Sequence, residues 1–172
     1  MVIPVVTWTL SLVMVSILLA YWTGTFVDLP CNHDYVSTIS RNFIHVQAFH
    51  ILANLFAFYQ MREIELQLGV SSYILLILAL VMVQSTIELI LSRYVDLGCS
   101  IGFSGVLYGL LVWMLMSTPS NDRSKLVPIL ISIVGSSLAM PNVSLSGHLI
   151  GFVSGLIVAK LSRINSFLIA GP

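Results

Sequence analysis

From Val2 to Trp22 the chain carries no charged residue, and shorter apolar stretches follow along its length. A helix needs about 20 apolar residues to cross the hydrocarbon of a bilayer. Hydrocarbon offers backbone N–H and C=O groups no water, so a crossing segment must satisfy its own hydrogen bonds. The run is therefore read as a membrane helix, and this limits what the remaining residues can fold into. Composition agrees: 58% of the 172 residues are hydrophobic and 8% are charged, against about 25% charged in a soluble domain. Mean hydropathy is +1.01. Seven basic residues balance seven acidic ones. No basic patch is left for a nucleic acid, and none is expected as a partner.

Six apolar segments are marked, roughly at 2–22, 46–62, 70–92, 103–118, 126–141 and 147–162. They predict an all-α membrane protein, a six-transmembrane-helix bundle forming one domain over residues 1–172. The first run lacks a positive leader and a small-residue cleavage site, so it is expected to be retained as a span. No transit peptide, repeat or second domain is evident, and the tail after Arg163 is too short to fold alone. Loop charges give an orientation. A cytosolic N-terminus puts Arg62, Arg123, Lys125, Lys160 and Arg163 inside and Arg41 and Arg93 outside, the excess the positive-inside rule asks for.

Against this background, polar residues inside apolar segments are informative, because each is costly to bury. Gly102-Phe103-Ser104-Gly105 opens the fourth segment. The glycines allow unusual dihedrals and close approach. A helix start offers free N–H groups and partial positive charge, suited to a developing oxyanion. The bland alternative is a small-residue helix contact. Tyr108 shares the helix face of Ser104, one turn on. Gly105 and Gly109 form a small-residue row, and Gly147, Gly151 and Gly155 form another beside His148. If the rows pack together, His148 comes near Ser104 and Tyr108. A plain interhelical hydrogen bond is the competing role for His148.

A third group is His45, His50 and Asn54. His50 and Asn54 share a helix face, whereas His45 belongs on the turn leading into it. Imidazole and amide groups are good donors to an oxyanion. A zinc site built from His45, His50, Asn54 and His148 is the rival, but the spacing suits one helix face poorly and no H-E-x-x-H pattern occurs. No metal or other cofactor is expected. Cys31 and Cys99 would lie on one side of the membrane. A bridge there would tie the first loop to the segment leading into Ser104, but two cysteines alone make no framework, and free thiols are expected.

On these motifs, in this order, the chain resembles the rhomboid family of intramembrane serine proteases over about residues 2–162. The resemblance implies Ser104 as nucleophile and His148 as its general base. It implies an oxyanion hole of His45, Asn54 and the Ser104 N–H. His50, Tyr108, Gly102 and Gly105 would support them, with Tyr108 stacked on His148. Glu65, shortly before Gly69, is similar to the acidic residue ending the family's second helix. Two places depart from the family pattern: Val36-Ser37 stands where a Trp-Arg pair is common, and Phe58-Tyr59-Gln60-Met61 replaces an aromatic-then-glycine pattern.

The function this implies is cleavage of membrane-anchored proteins in or beside their transmembrane segments, with the lipid bilayer as surroundings. The alternative is a catalytically silent rhomboid-like pseudoprotease that binds membrane proteins for quality control or trafficking. A small transporter or scaffold comes third, since no intramembrane charge pair is evident and Glu88 is the lone candidate acid.

Overall fold

The structure, a computed structural model, describes residues 3–25, 28–139 and 144–170. Among them every regular element is helical. The α-helices are α1 (Val5–Trp22), α2 (Tyr35–Ser40), α3 (Ala48–Gln60), α4 (Arg62–Leu68), α5 (Val70–Leu91), α6 (Ser104–Ser117), α7 (Val127–Ala139) and α8 (Leu145–Ala170). Short 3₁₀ turns cover Arg41–Phe43 and Ser120–Leu126.

A helix lies in each of the six apolar segments, while the short α2 and α4 were not anticipated. The end of the expected fifth segment falls outside the described residues. Among the described residues, three helices are long and apolar enough to cross a bilayer: α1, α5 and the Leu145–Ser162 part of α8. α6 is apolar but shorter. α2 forms within a stretch expected to be loop because Asp34 caps it. The Asp34 carboxylate accepts from Ser37 N at 2.9 Å and Ser37 Oγ at 2.7 Å, as an N-cap residue does. The bond from the Ser37 N–H holds its carboxyl below the ordinary carboxylate pKa.

α6 runs through the middle. Gly105, Val106, Leu107, Gly109, Leu110 and Val112 are all buried, which covers every side of the helix. Around it pack α3, α5, α7 and α8. The outer helices are apolar outward and polar inward. On α5, Leu75, Leu78 and Met82 are exposed, while Gln84, Ser85 and Glu88 are buried. A soluble protein would reverse this; hydrocarbon surroundings favour it.

The buried polar groups tie helices together. Glu65 on α4 accepts from Val6 N at 2.7 Å, Thr7 N at 2.9 Å and Thr7 Oγ1 at 2.8 Å. These N–H groups belong to the first turn of α1, where no helical acceptor exists. A carboxylate there also complements the helix dipole. One side chain thus fixes the start of α1 against the middle of α4. Arg41 and Glu88 form a fully buried ion pair between the first loop and α5. The expectation that the interior holds no charge pair is therefore corrected. Its two members are far apart in sequence, and Arg41 was placed in a solvated loop.

Replacing Glu65 should expose how much α1 depends on this cap. An unsatisfied buried donor costs about 1–3 kcal/mol, so Glu65→Ala should lower the melting temperature in detergent clearly. Glu65→Gln keeps one acceptor oxygen and should lie between Glu65→Ala and the wild type. A wild-type melting curve for Glu65→Ala would remove Glu65 from this role.

Candidate active site

Ser104 is the first residue of α6, and the turn before it is built to aim it. Gly102 has φ 109°, a conformation open to glycine and costly for other residues. Its N–H donates to Arg41 O at 2.9 Å, fastening the turn to the first loop. A Cβ at this position would come within 2.6 Å of His50 Cε1 and 2.8 Å of His50 Nε2. Gly102 is thus required twice, for its backbone angle and for the imidazole lying over it. Phe103, fully buried, is wedged between the rings of Phe43 and Phe58 at centroid distances of 5.7 and 5.0 Å. The half-buried Ser104 hydroxyl follows.

His148 reaches it from α8. Ser144 begins that helix by accepting from Gly147 N at 3.1 Å, a serine N-cap. His148 sits in the first turn, with Nε2 3.0 Å from Ser104 Oγ. Its ring stacks on Tyr108 at 4.4 Å between centroids and 23° between planes. Backbone contact sets the spacing of the two helices. A Cβ on Gly151 would lie 2.1 Å from Gly105 O, and one on Gly155 would lie 2.5 Å from Gly109 O. The two glycine rows meet, and no side chain fits between them.

The first loop and α3 supply the other group. His45, fully buried before α3, receives two donors on one ring nitrogen: Asn54 Nδ2 lies 2.7 Å and Phe103 N 3.3 Å from Nε2. A nitrogen accepting both carries its lone pair outward, which puts the proton on Nδ1. His45 therefore joins α3 to the turn before Ser104. Trp22 Nε1 holds the adjacent Val46 carbonyl at 3.1 Å, so α1 steadies this stretch too. His50 is half-buried, edge-on to His45 with ring centroids 5.0 Å apart, and lies against Gly102. The structure brings together Ser104, His148, Tyr108, His50, Gly102 and Gly105, with His45 and Asn54 one layer behind. Among the described residues no three His, Cys, Asp or Glu side chains converge as metal ligands.

Several participants were not anticipated. Gln84 donates through Nε2 to Asn42 Oδ1 at 2.7 Å and lies so near Gly105 that a Cβ there would come within 2.6 Å of it. Arg41 holds Gly102 through its carbonyl and Glu88 through its guanidinium. The sequence did carry a signal, since Gln84, Ser85 and Glu88 are polar residues in an apolar run and group on one helical face. Cys31 and Cys99 are joined in a disulfide across a sequence separation of 68, with Cα atoms 5.3 Å apart. The expectation of free thiols is overturned. Only the folded chain brings the two loops within bridging distance.

A hydroxyl within hydrogen-bond distance of an imidazole thus stands at a helix start inside an apolar helical protein. The chain matches the model of the Rhomboid domain over residues 32–164. It is also 28% identical over 134 residues to a protein of Acanthamoeba polyphaga mimivirus whose name describes it as a rhomboid protein, covering 76% of this chain and 77% of that one. The chain belongs to the rhomboid family.

If backbone contact sets the Ser104–His148 distance, a side chain at Gly151 must break it. Gly151→Val should cost about 1–3 kcal/mol or more through overpacking. Gly135→Val on α7 is the control, because a Cβ there meets nothing within 4 Å. Melting temperatures of both in detergent, alongside the wild type, make the comparison. Equal curves for the two variants would show that α6 and α8 do not meet along these rows.

Proposed function

We propose that this rhomboid protein is an intramembrane serine endopeptidase acting on transmembrane protein substrates. The observation that carries the reading is the 3.0 Å contact between Ser104 Oγ and His148 Nε2, held by glycine contacts on one side and by Tyr108 on the other. In this reading the six apolar segments cross the bilayer as one rhomboid-like domain, with the N-terminus cytosolic.

His148 Nε2 takes the hydroxyl proton as Ser104 Oγ attacks the scissile carbonyl. The carbonyl oxygen becomes an oxyanion at the start of α6, where free N–H groups are available. His50 is the better placed side-chain donor. It is half-buried against Gly102 and its ring nitrogens make no hydrogen bond among the described residues, whereas His45 Nε2 is already occupied. The donor role expected of His45 thus passes to His50, and His45 becomes the brace behind it. Asn54 keeps a second amide hydrogen for the oxyanion after its bond to His45. Collapse of the tetrahedral species breaks the C–N bond as His148 returns its proton to the leaving amine. Water, deprotonated by His148, then attacks the acyl-Ser104 ester and releases the second product. The segment to be cut must unwind locally, because a helical carbonyl is already hydrogen-bonded.

A fluorophosphonate probe and a single-span reporter test this. Ser104→Ala and His148→Ala should each lose labelling and cleavage, since the pair acts as a unit. His50→Ala should lower turnover by roughly 10²–10³-fold, the range for one oxyanion donor, with its melting temperature near wild type. His45→Ala should mainly lower the melting temperature. Wild-type protein that neither labels nor cleaves would favour the silent, membrane-protein-binding relative. A His50→Ala that cleaves at the wild-type rate, with a folded but inactive His45→Ala, would return the donor role to His45.

A further inference from the structure

We propose that the Cys31–Cys99 disulfide is a redox device that holds the turn carrying Ser104, working when oxidised and slackened by a dithiol reductant. The proposal rests on the protease reading.

The loop from residue 92 to 103 ends at Ser104, so its placement fixes where the nucleophile stands. Within it, two glycines at positive φ, Gly98 at 65° and Gly102 at 109°, bracket Cys99, Ser100 and Ile101. Glycines in such conformations leave the segment between them unusually free to reorient. Among the described residues, four ties to other parts of the chain oppose that freedom: the disulfide, the 2.9 Å bond from Gly102 N to Arg41 O, the 3.3 Å bond from Phe103 N to His45 Nε2, and a long 3.5 Å bond from Ser146 Oγ to Leu97 O. The covalent tie is the strongest, and it acts between the glycines.

Both cysteines are exposed. Exposed disulfides are the ones open to exchange and regulation. Neither cysteine takes part in the Glu65 cap, the Arg41–Glu88 pair or the Gly105–Gly151 and Gly109–Gly155 contacts, although the neighbouring Ser100 Oγ lies 2.5 Å from where a Cβ on Gly147 would stand. Opening it should therefore loosen the turn and leave the bundle standing. The reaction balances as an exchange: a dithiol gives two electrons and two protons, becomes a disulfide, and leaves Cys31 and Cys99 as thiols. Newly made chain in a reducing environment would start slack and become competent once the two loops face an oxidising compartment.

The test uses the full chain in detergent, oxidised or treated with dithiothreitol, with thiols counted by alkylation and mass spectrometry. Reduction should slow fluorophosphonate labelling of Ser104 by about tenfold or more, since a displacement near 1 Å can cost about 100-fold. Re-oxidation should restore it. The double variant Cys31→Ser, Cys99→Ser should sit at the reduced rate and ignore reductant. Amide exchange should quicken in peptides from 92–103 and stay unchanged in α5 and α6. Equal labelling and equal exchange in both forms would overturn the proposal. So would reduction that melts the whole protein, because the bridge would then be a general staple. If neither form labels, the hydrolase reading has failed and exchange decides alone: quickened exchange keeps the tether, unchanged exchange ends it.

Discussion

Backbone against backbone is the contact on which the rest depends. In hydrocarbon, apolar side chains gain little by leaving lipid for one another, so helices associate by close packing and a few polar bonds. α6 and α8 meet through Gly105, Gly109, Gly151 and Gly155 so closely that even a methyl group would collide with a carbonyl. Dispersion falls off steeply with distance, which makes this closeness the source of the attraction. It also defines the register. Ser104 stands beside Gly105 and His148 one turn before Gly151, so the contact that holds the helices also sets the Oγ–Nε2 distance.

Polar residues do a second kind of work inside the bundle. A buried ion pair is weak support for stability, since desolvation can cancel its attraction, but losing one partner is expensive. Arg41 and Glu88 therefore make misplacement of the first loop costly even where they add little net stability. Glu65 does the same for the start of α1. Gln84 and Asn42 link α5 to the first loop beside Gly105. Each bond lies within the protein, because the outer faces offer it only lipid.

How legible this was from sequence depended on the range of each interaction. The helices follow from runs of apolar residues, which act locally, so a helix occupies every marked segment. Ser104, Tyr108 and His148 were readable because each adjoins a glycine row, and close packing leaves a periodic trace. The short helix α2 was missed because it rests on the local cap from Asp34 to Ser37, which leaves no periodic pattern, and α4 was missed because seven residues are too few to show one. The Arg41–Glu88 pair and the disulfide were missed because they join residues far apart in the chain. The division of labour proposed for His45 and His50 was illegible for another reason. It turns on which ring nitrogen accepts, and that is set by Phe103 N and Asn54 in three dimensions.

If the proposed function holds, those two histidines indicate how the site would reconcile rigidity with reaction. A donor to an oxyanion must be held in place beforehand, yet free to bond when charge appears. One imidazole cannot easily meet both demands in a dry interior, where an idle polar group is costly. Under the proposed function, dividing the task between two rings eases the conflict, although His45 Nδ1 stays buried without a hydrogen-bond partner among the described residues. His45, fully buried, spends its acceptor on Asn54 and Phe103 N and so fixes α3 to the turn before Ser104. His50, half-buried over Gly102, stays at the edge of the apolar interior, where a polar group costs less to leave unbonded. Gly102 is where the two meet, which is why a residue without a side chain stands there.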